Sequence, residues 1–288
     1  MIRGMPPADN HVHTEWSWDA VAGSMEQSCA RAVELGLPSI AFTEHLDLTR
    51  WVVAPEAKAK PRPDAAKAGP DGRFDLPALD VDGYLACVRR CRDRYPGLRI
   101  LSGVEVGEPH WHEDRVKALL ATADCERVLG SLHSLEVGGA PWIVDALYQE
   151  HAPGDLEADG IVRAYLAEAL RMVESSHAFE VLAHIDYPLR RWPAGAAVFD
   201  PTEFEEEFRA VLRALARSGR VLEVNTVVPL PAEVIGWWYE VGGEAVSFGS
   251  DAHAPSLVAR DFAHAAAMAE AQGFLPGRDP SDFWRRRP

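Results

Sequence analysis

The stretch Ser39-Ile-Ala-Phe-Thr-Glu-His45 is short, apolar and partly β-branched, and it stops on a histidine. Such runs, bounded by polar residues, read as buried strands. Six more follow the same plan. They are "DNHVHT" from Asp9, "RILSGVEV" from Arg99, "RVLGSLH" ending at His133, "FEVLAHID" with His184 and Asp186, "RVLEVNT" ending in Asn225 and Thr226, and "AVSFGSDAH" ending in Asp251 and His253. All but "RVLEVNT" carry a histidine or acid of metal-binding type at or near the carboxyl end.

Between these runs lie segments of helical period: 24–35, 82–95, 113–123, 156–175, 202–218, 231–239 and 257–272. Asp155 and Ser256 are candidate N-caps, and Gly36, Gly219 and Gly273 sit where helices end. Seven βα repeats predict an α/β barrel forming a single domain over 1–288. In closed parallel barrels the functional groups come from strand carboxyl ends, whereas an open doubly wound sheet joins only a few strands at its switch point. Six contributing strands favour the barrel.

The bulk composition narrows the function classes. With 47% apolar and 25% charged residues the chain is ordinary for a globular protein, and its formal charge of -15 argues against non-specific binding to nucleic acid or anionic membranes. Cys29, Cys87, Cys91 and Cys125 are sparse and read as core thiols. The opening "MIRGMPPADN" lacks a signal-peptide core, and no apolar run is long enough for a membrane span, so a cytoplasmic protein is expected.

The chemistry rests on nine residues: His11, His13, Asp19, His45, Glu105, His133, His184, Asp251 and His253. A single His-x-His is weak, because 11 histidines in 288 residues produce about 0.4 such pairs by chance. Nine ligand-type groups at corresponding strand ends are not. Six imidazoles and three carboxylates exceed the needs of one ion and suit two or three divalent ions of zinc, manganese or iron type.

The ordered set "HVHT…D", "FTEH", "GVE", "SLH", "AHID" and "GSDAH" resembles the polymerase-and-histidinol-phosphatase (PHP) superfamily, particularly its histidinol-phosphate phosphatase branch. The match runs from about Asp9 to Arg260. The resemblance implies a distorted (β/α)7 barrel holding a trinuclear metal centre. His11, His13, Glu105 and Asp251 would hold one ion; Glu105, His133 and His184 a second; Asp19, His45 and His253 a third. It also implies a phosphoesterase acting on a small-molecule phosphomonoester, with L-histidinol phosphate the best single substrate. The expected mechanism is in-line attack of a metal-bridging hydroxide, in which Glu105, Asp251 and His253 take part and Asp251 or His253 protonates the leaving group. The alternatives are a phosphodiesterase or exonuclease acting on nucleotide ends, and a non-catalytic metal-binding module.

The "AHIDYPLRRW" loop offers Arg190 and Arg191 as phosphate ligands, Arg191 being favoured, and Arg260 follows the last metal motif. His110-Trp111-His112 reads as loop rather than ligand. Glu44 is expected to orient a ligand or face solvent, and Trp16 and Trp18 to wall the pocket or pack in the core. Residues 49–79, rich in Pro, Ala and Lys, read as a lid or insertion on the catalytic face. "EVGGAPWIVD", after His133, is a candidate specificity wall.

Overall fold

The computed structural model describes residues 6–52, 69–74, 76–148, 154 and 156–287. Its strands are β1 (Asp9–Val12), β2 (Ser39–Leu46), β3 (Arg99–Gly107), β4 (Arg127–Ser131), β5 (Ser134–Val137), β6 (Ala140–Ile143), β7 (Val181–Leu182), β8 (Val221–Asn225), β9 (Ala245–Gly249), β10 (Phe274–Leu275) and β11 (Trp284–Arg286). The helices are α1 (Met25–Leu35), α2 (Val81–Arg94), α3 (Glu113–Leu120), α4 (Val144–Leu147), α5 (Ala158–Ser175), α6 (Glu205–Arg217), α7 (Ala232–Glu240) and α8 (Phe262–Ala271).

Seven strands, β1-β2-β3-β4-β7-β8-β9, run parallel in chain order, and β11 and β10 extend the sheet antiparallel beyond β9. The parallel part of the sheet curls until β1 meets the segment after β9. Past the strand ends, Val12 bridges Ala252 in parallel, Asp251 N donates to the His11 carbonyl, and His13 N donates to the Ala252 carbonyl. Each of the seven predicted runs thus supplies one parallel strand of a barrel-like α/β fold. "FEVLAHID" contributes only Val181–Leu182 to the ladder, since the backbone turns out at His184.

The core explains the continuous apolar runs: β2 is buried along its whole length, as expected for a strand covered on both faces. One cluster joins the sheet to α5, α6, α7 and α8 through Tyr165, Phe208, Trp238 and Phe248. A second packs α1 and α2 on β2 and β3 through Met25, Phe42 and Tyr84, and it takes in Cys29, Cys87 and Cys91. All four cysteines are free.

Helix ends follow local chemistry in most places. Gly36, Gly219 and Gly273 adopt left-handed φ values of 68, 72 and 95°, as helix-terminating glycines do. The last helix departs from expectation. It starts at Phe262 rather than 257, because Pro255–Leu257 forms a separate 3-10 turn and Ala259 and Asp261 take positive φ. Ser256 therefore caps nothing, and Arg260 lies in a turn rather than on a helix. Asp155, the other expected cap, lies outside the described residues, as do 53–68 and 75 of the expected lid.

"EVGGAPWIVD" folds as the antiparallel hairpin β5–β6, whose turn residues Gly138 and Gly139 both have positive φ. No helix among the described residues is long and apolar enough to cross a membrane.

Phe208, 1% exposed on α6 and in ring contact with Trp237 at 6.0 Å, joins the larger core cluster. Phe208→Ala should cost about 3–5 kcal/mol in denaturant unfolding. A loss below about 1 kcal/mol would show that this cluster does not support the barrel.

Candidate metal centre

Strand register brings the polar groups together before any side chain is considered. His45 on β2 pairs directly with Glu105 on β3. On β1 the register slips: Asp9 faces Ile40 but Val12 faces Phe42, three residues against two. Residues two apart on an extended chain share a face, so His11 and His13 can point the same way across the end of the strand at Val12. Their Nε2 atoms stand 3.1 Å apart. Two other expected ligand residues sit in the left-handed region, His184 at φ 22° and Asp251 at φ 49°. Non-glycine residues hold such conformations only where surrounding structure enforces them, and they concentrate at functional sites.

The nine residues form three adjoining donor sets. In the first, His11 Nε2 and His13 Nε2 lie 3.4 and 3.3 Å from Glu105 Oε2 and 3.7 and 3.4 Å from Asp251 Oδ1. In the second, Glu105 Oε1 lies 3.2 Å from His133 Nε2 and 2.6 Å from His184 Nε2. In the third, Asp19 reaches His45 Nε2 at 3.3 Å with one oxygen and His253 Nε2 at 3.2 Å with the other. Ligand atoms about 2.0–2.2 Å from a tetrahedral ion lie about 3.3–3.6 Å apart. The edges of the first set, 3.1 to 3.7 Å, bracket that spacing.

The outer hydrogen bonds set the tautomers. His11 Nδ1 meets Glu223 Oε1 at 2.7 Å, and His133 Nδ1 meets Asp47 Oδ1 at 3.2 Å. His13 Nδ1 lies 2.9 Å from Ser17 Oγ, which donates to Glu44 Oε2 at 2.6 Å. His253 Nδ1 lies 3.1 Å from the Asp251 carbonyl. A ring whose Nδ1 carries the proton points a bare Nε2 lone pair the other way. The lone pairs of His11 and His13 then face each other and the Glu105 carboxylate. Glu105 Oε2, Asp19 Oδ1, His45 Nδ1 and His184 Nδ1 are buried without a hydrogen-bond partner. Converging acceptors with orphaned atoms repel unless a cation sits among them, so the residues fit divalent ions.

The electrostatics agree. Burial presses the His11 and His45 imidazoles down, yet Glu223 and Glu105 around the first, and Asp19 and Asp47 around the second, hold both well above the ordinary imidazole range. Against burial, Glu105 and Asp47 carry His133 up to about 10. Burial pushes Glu105 and Asp251 the other way, but neighbouring histidines, and Arg190 beside Asp251, keep both well below the carboxylate range. The cavity favours positive charge at its centre.

A pocket of about 90 Å³ opens over this cluster, lined by Trp18, Asp19, His45, Asp47, Trp51, Glu105, His133, Ile143, Tyr187, Arg190, Asp251 and His253. Arg190 reaches Asp251 Oδ2 at 2.6 Å and lies over the Tyr187 ring. Arg191, favoured on sequence as the phosphate ligand, instead turns outward: its side chain is 55% exposed and pairs with Asp145 at 2.7 Å. Consecutive residues of one 3-10 turn leave in different directions, which sequence alone does not resolve. Arg260 donates to the Ser250 carbonyl at 2.9 Å and is not among the residues lining the pocket. The second His-x-His is tied up elsewhere, His110 on Glu168 at 2.7 Å and His112 on Thr49 at 2.9 Å.

Sequence reasoning missed Asp47, Glu108 and Glu223. Glu108 accepts the backbone N–H groups of His133 and Ser134 at 2.7 and 2.8 Å. Glu223 also accepts the His184 N–H at 2.8 Å. A signal existed for Glu223: it stands two residues before Asn225 and so shares its strand face. Glycines make room for these acids, since a Cβ at Gly249 would collide with Glu223 Oε1 and one at Gly107 with Asp47 Oδ1.

A family model described as the PHP domain matches residues 9–227. The probable histidinol-phosphatase of Clostridium acetobutylicum is 24% identical over 278 residues, 93% of this chain and 94% of that protein. The histidinol-phosphatase of Lactococcus lactis subsp. lactis is 22% identical over 263 residues, 86% of this chain and 85% of its own. Among solved structures, histidinol phosphate phosphatase from L. lactis, in complex with zinc, L-histidinol and phosphate, superposes with a TM-score of 0.77 at 19% identity, over 97% of this chain and 99% of that one.

Glu223→Gln keeps the volume but weakens the hold on His11, and should lower zinc affinity about 10–100-fold, read by competition with a chromogenic chelator. Affinity within about twofold of wild type would mean that His11 needs no outer carboxylate. Stripping metal with a chelator should lower the melting temperature, and zinc at a hundredfold excess over its Kd should restore about 2.7 kcal/mol. An unchanged melting curve would argue that no ion occupies the cluster.

Proposed function

Because this chain belongs to the PHP domain family, we propose that it is a metal-dependent phosphoesterase that hydrolyses L-histidinol phosphate to L-histidinol and phosphate. The observation that carries this reading is the convergence of nine ligand-type side chains in three adjoining donor sets, six of the nine lining the pocket that Arg190 also lines. Support comes from relatives named as histidinol-phosphatases, matched over most of their length, and from the zinc, L-histidinol and phosphate bound to the L. lactis structure.

In this proposal His11, His13, Glu105 and Asp251 hold one ion, Glu105, His133 and His184 a second, and Asp19, His45 and His253 a third. Zinc is the first candidate, with manganese and iron open. Bound ions of this kind neutralise charge developing at phosphorus and lower the pKa of water, so that no protein nucleophile is needed.

The protein's own groups do the rest. Arg190 is a guanidinium at the pocket wall, and its fork suits a phosphate oxygen better than a point charge would. Its bond to Asp251 Oδ2 holds it in place beforehand, so little side-chain freedom remains to be lost on binding. Of the two candidates for protonating the leaving oxygen, Asp251 has both oxygens engaged, Oδ1 beside His11 and His13 and Oδ2 on Arg190. His253 sits at the rim with its side chain 31% exposed and is the better placed, provided that its Nε2 is not holding the third ion when the proton is given. Tyr187, 8% exposed, walls the second donor set and limits water there.

A panel of histidinol phosphate, other amino-alcohol and sugar phosphates, nucleoside monophosphates and a diester, run on zinc-loaded protein, tests the assignment. Highest kcat/KM on histidinol phosphate is expected; preference for the diester would overturn it. His13→Ala should lose essentially all turnover, whereas His112→Ala should stay within about twofold of wild type, since only the first lies at the site.

A further inference from the structure

Behind the donor sets, one hydroxyl serves two of them. Ser17 follows β1 in a turn that its own N–H closes on the Thr14 carbonyl at 2.9 Å, and it is buried. Its Oγ has three neighbours: Glu44 Oε2 at 2.6 Å, His13 Nδ1 at 2.9 Å and the backbone N of His45 at 3.1 Å. A serine hydroxyl has one proton to give and two lone pairs to fill, so three partners saturate it.

The direction of each bond follows by counting. The His45 N–H can only donate, and the Glu44 carboxylate accepts, as it also does from Thr14 N at 3.0 Å and Thr14 Oγ at 2.6 Å. The serine proton therefore goes to Glu44. His13 Nδ1 is left one role, that of donor to the second lone pair, which leaves its Nε2 bare towards Glu105 and Asp251. Without an acceptor at Glu44, the hydroxyl would turn to His13 Nδ1 and move the ring proton to Nε2, the nitrogen that faces the cluster.

A second observation puts this hydroxyl at the joint between two donor sets. The rings of His13 and His45 stack at 4.1 Å and 26°, and His13, His45 and His253 each bring a ligand atom within 4.8 Å of the others. His13 belongs to the first donor set and His45 to the third. Ser17 bonds the ring of one and the backbone that carries the other.

We infer that Ser17 and Glu44 are positioning residues that form one shared brace, setting the tautomer of His13 and holding His13 and His45 in register, so that the first and third ion sites depend on it together. The second site, of Glu105, His133 and His184, has no bond to the brace and should not depend on it. The inference rests on the ion assignment proposed above and deepens it.

The test is a zinc titration of metal-stripped protein against a chromogenic chelator, which reads binding without turnover. Wild type should take up three equivalents. In Ser17→Ala two of them should weaken about 10–100-fold while the remaining one stays within about threefold of wild type, and Glu44→Ala should do the same. Glu44→Gln should regain most of that loss, because the amide oxygen can take the Ser17 proton and the Thr14 N–H while the amide nitrogen donates to the Thr14 hydroxyl. Weakening of a single equivalent, or of none, would overturn the shared brace. So would equal weakening of all three in both alanine variants, which is what a general loss of packing produces, or Glu44→Gln binding as weakly as Glu44→Ala. Wild type taking up fewer than three equivalents would overturn the ion assignment and this inference with it, whereas three wild-type equivalents with any of the other contrary results overturn this inference alone.

Discussion

The Glu105 carboxylate is the pivot of the molecule. It is 1% exposed, and five histidines lie around it: His45, His133 and His184 at 3.0, 3.2 and 2.6 Å, and His11 and His13 at 3.4 and 3.3 Å. A buried carboxylate without compensation is strongly disfavoured, so it either takes up a proton or gathers positive charge around it. Here the barrel geometry does the gathering, because the five histidines come from four different strand ends, those of β1, β2, β4 and β7. One anion at the middle of a curled sheet thus specifies both where the strands must stop and which charges must arrive.

Closing the sheet is what lets this happen. β1 reaches the segment after β9 through the Val12–Ala252 bridge, and that contact brings His11 and His13 against Asp251. The closure needs space as well as hydrogen bonds. Glu223 crosses beside Gly249 to reach His11, and any larger residue there would block it. It also needs strain, seen in the positive φ of His184 and Asp251. These costs are tolerated because a deeply packed frame surrounds them, and the gain is a set of donors fixed before any ion or substrate arrives.

The acid-rich outer ring resolves an apparent contradiction for a protein of formal charge -15 that would act on a phosphate dianion. Asp47, Glu44 and Glu223 each orient a histidine, directly or through Ser17, so their charge is spent inside the site rather than projected toward the substrate. In the proposed reaction, Arg190 and the ions that the cluster fits would then dominate what an approaching phosphate meets at the mouth.

Much of this was legible in the residue order. The seven βα repeats, their parallel arrangement and the nine ligand-type residues follow from hydrophobic period and from polar residues placed where strands end, both local properties. What stayed hidden depends on direction and distance. Arg190 and Arg191 are neighbours with the same charge, and only the turn geometry sends one to Asp251 and the other to Asp145. Asp47, Glu108 and Glu223 are acids of no special pattern until the fold sets them behind His133, the His133 backbone and His11. The sequence by itself determined the strand sequence and the residues available for metal. The tertiary structure alone decided which groups face one another, because a side chain's role at 3 Å is set by the closure of a sheet whose strands are tens of residues apart in the chain.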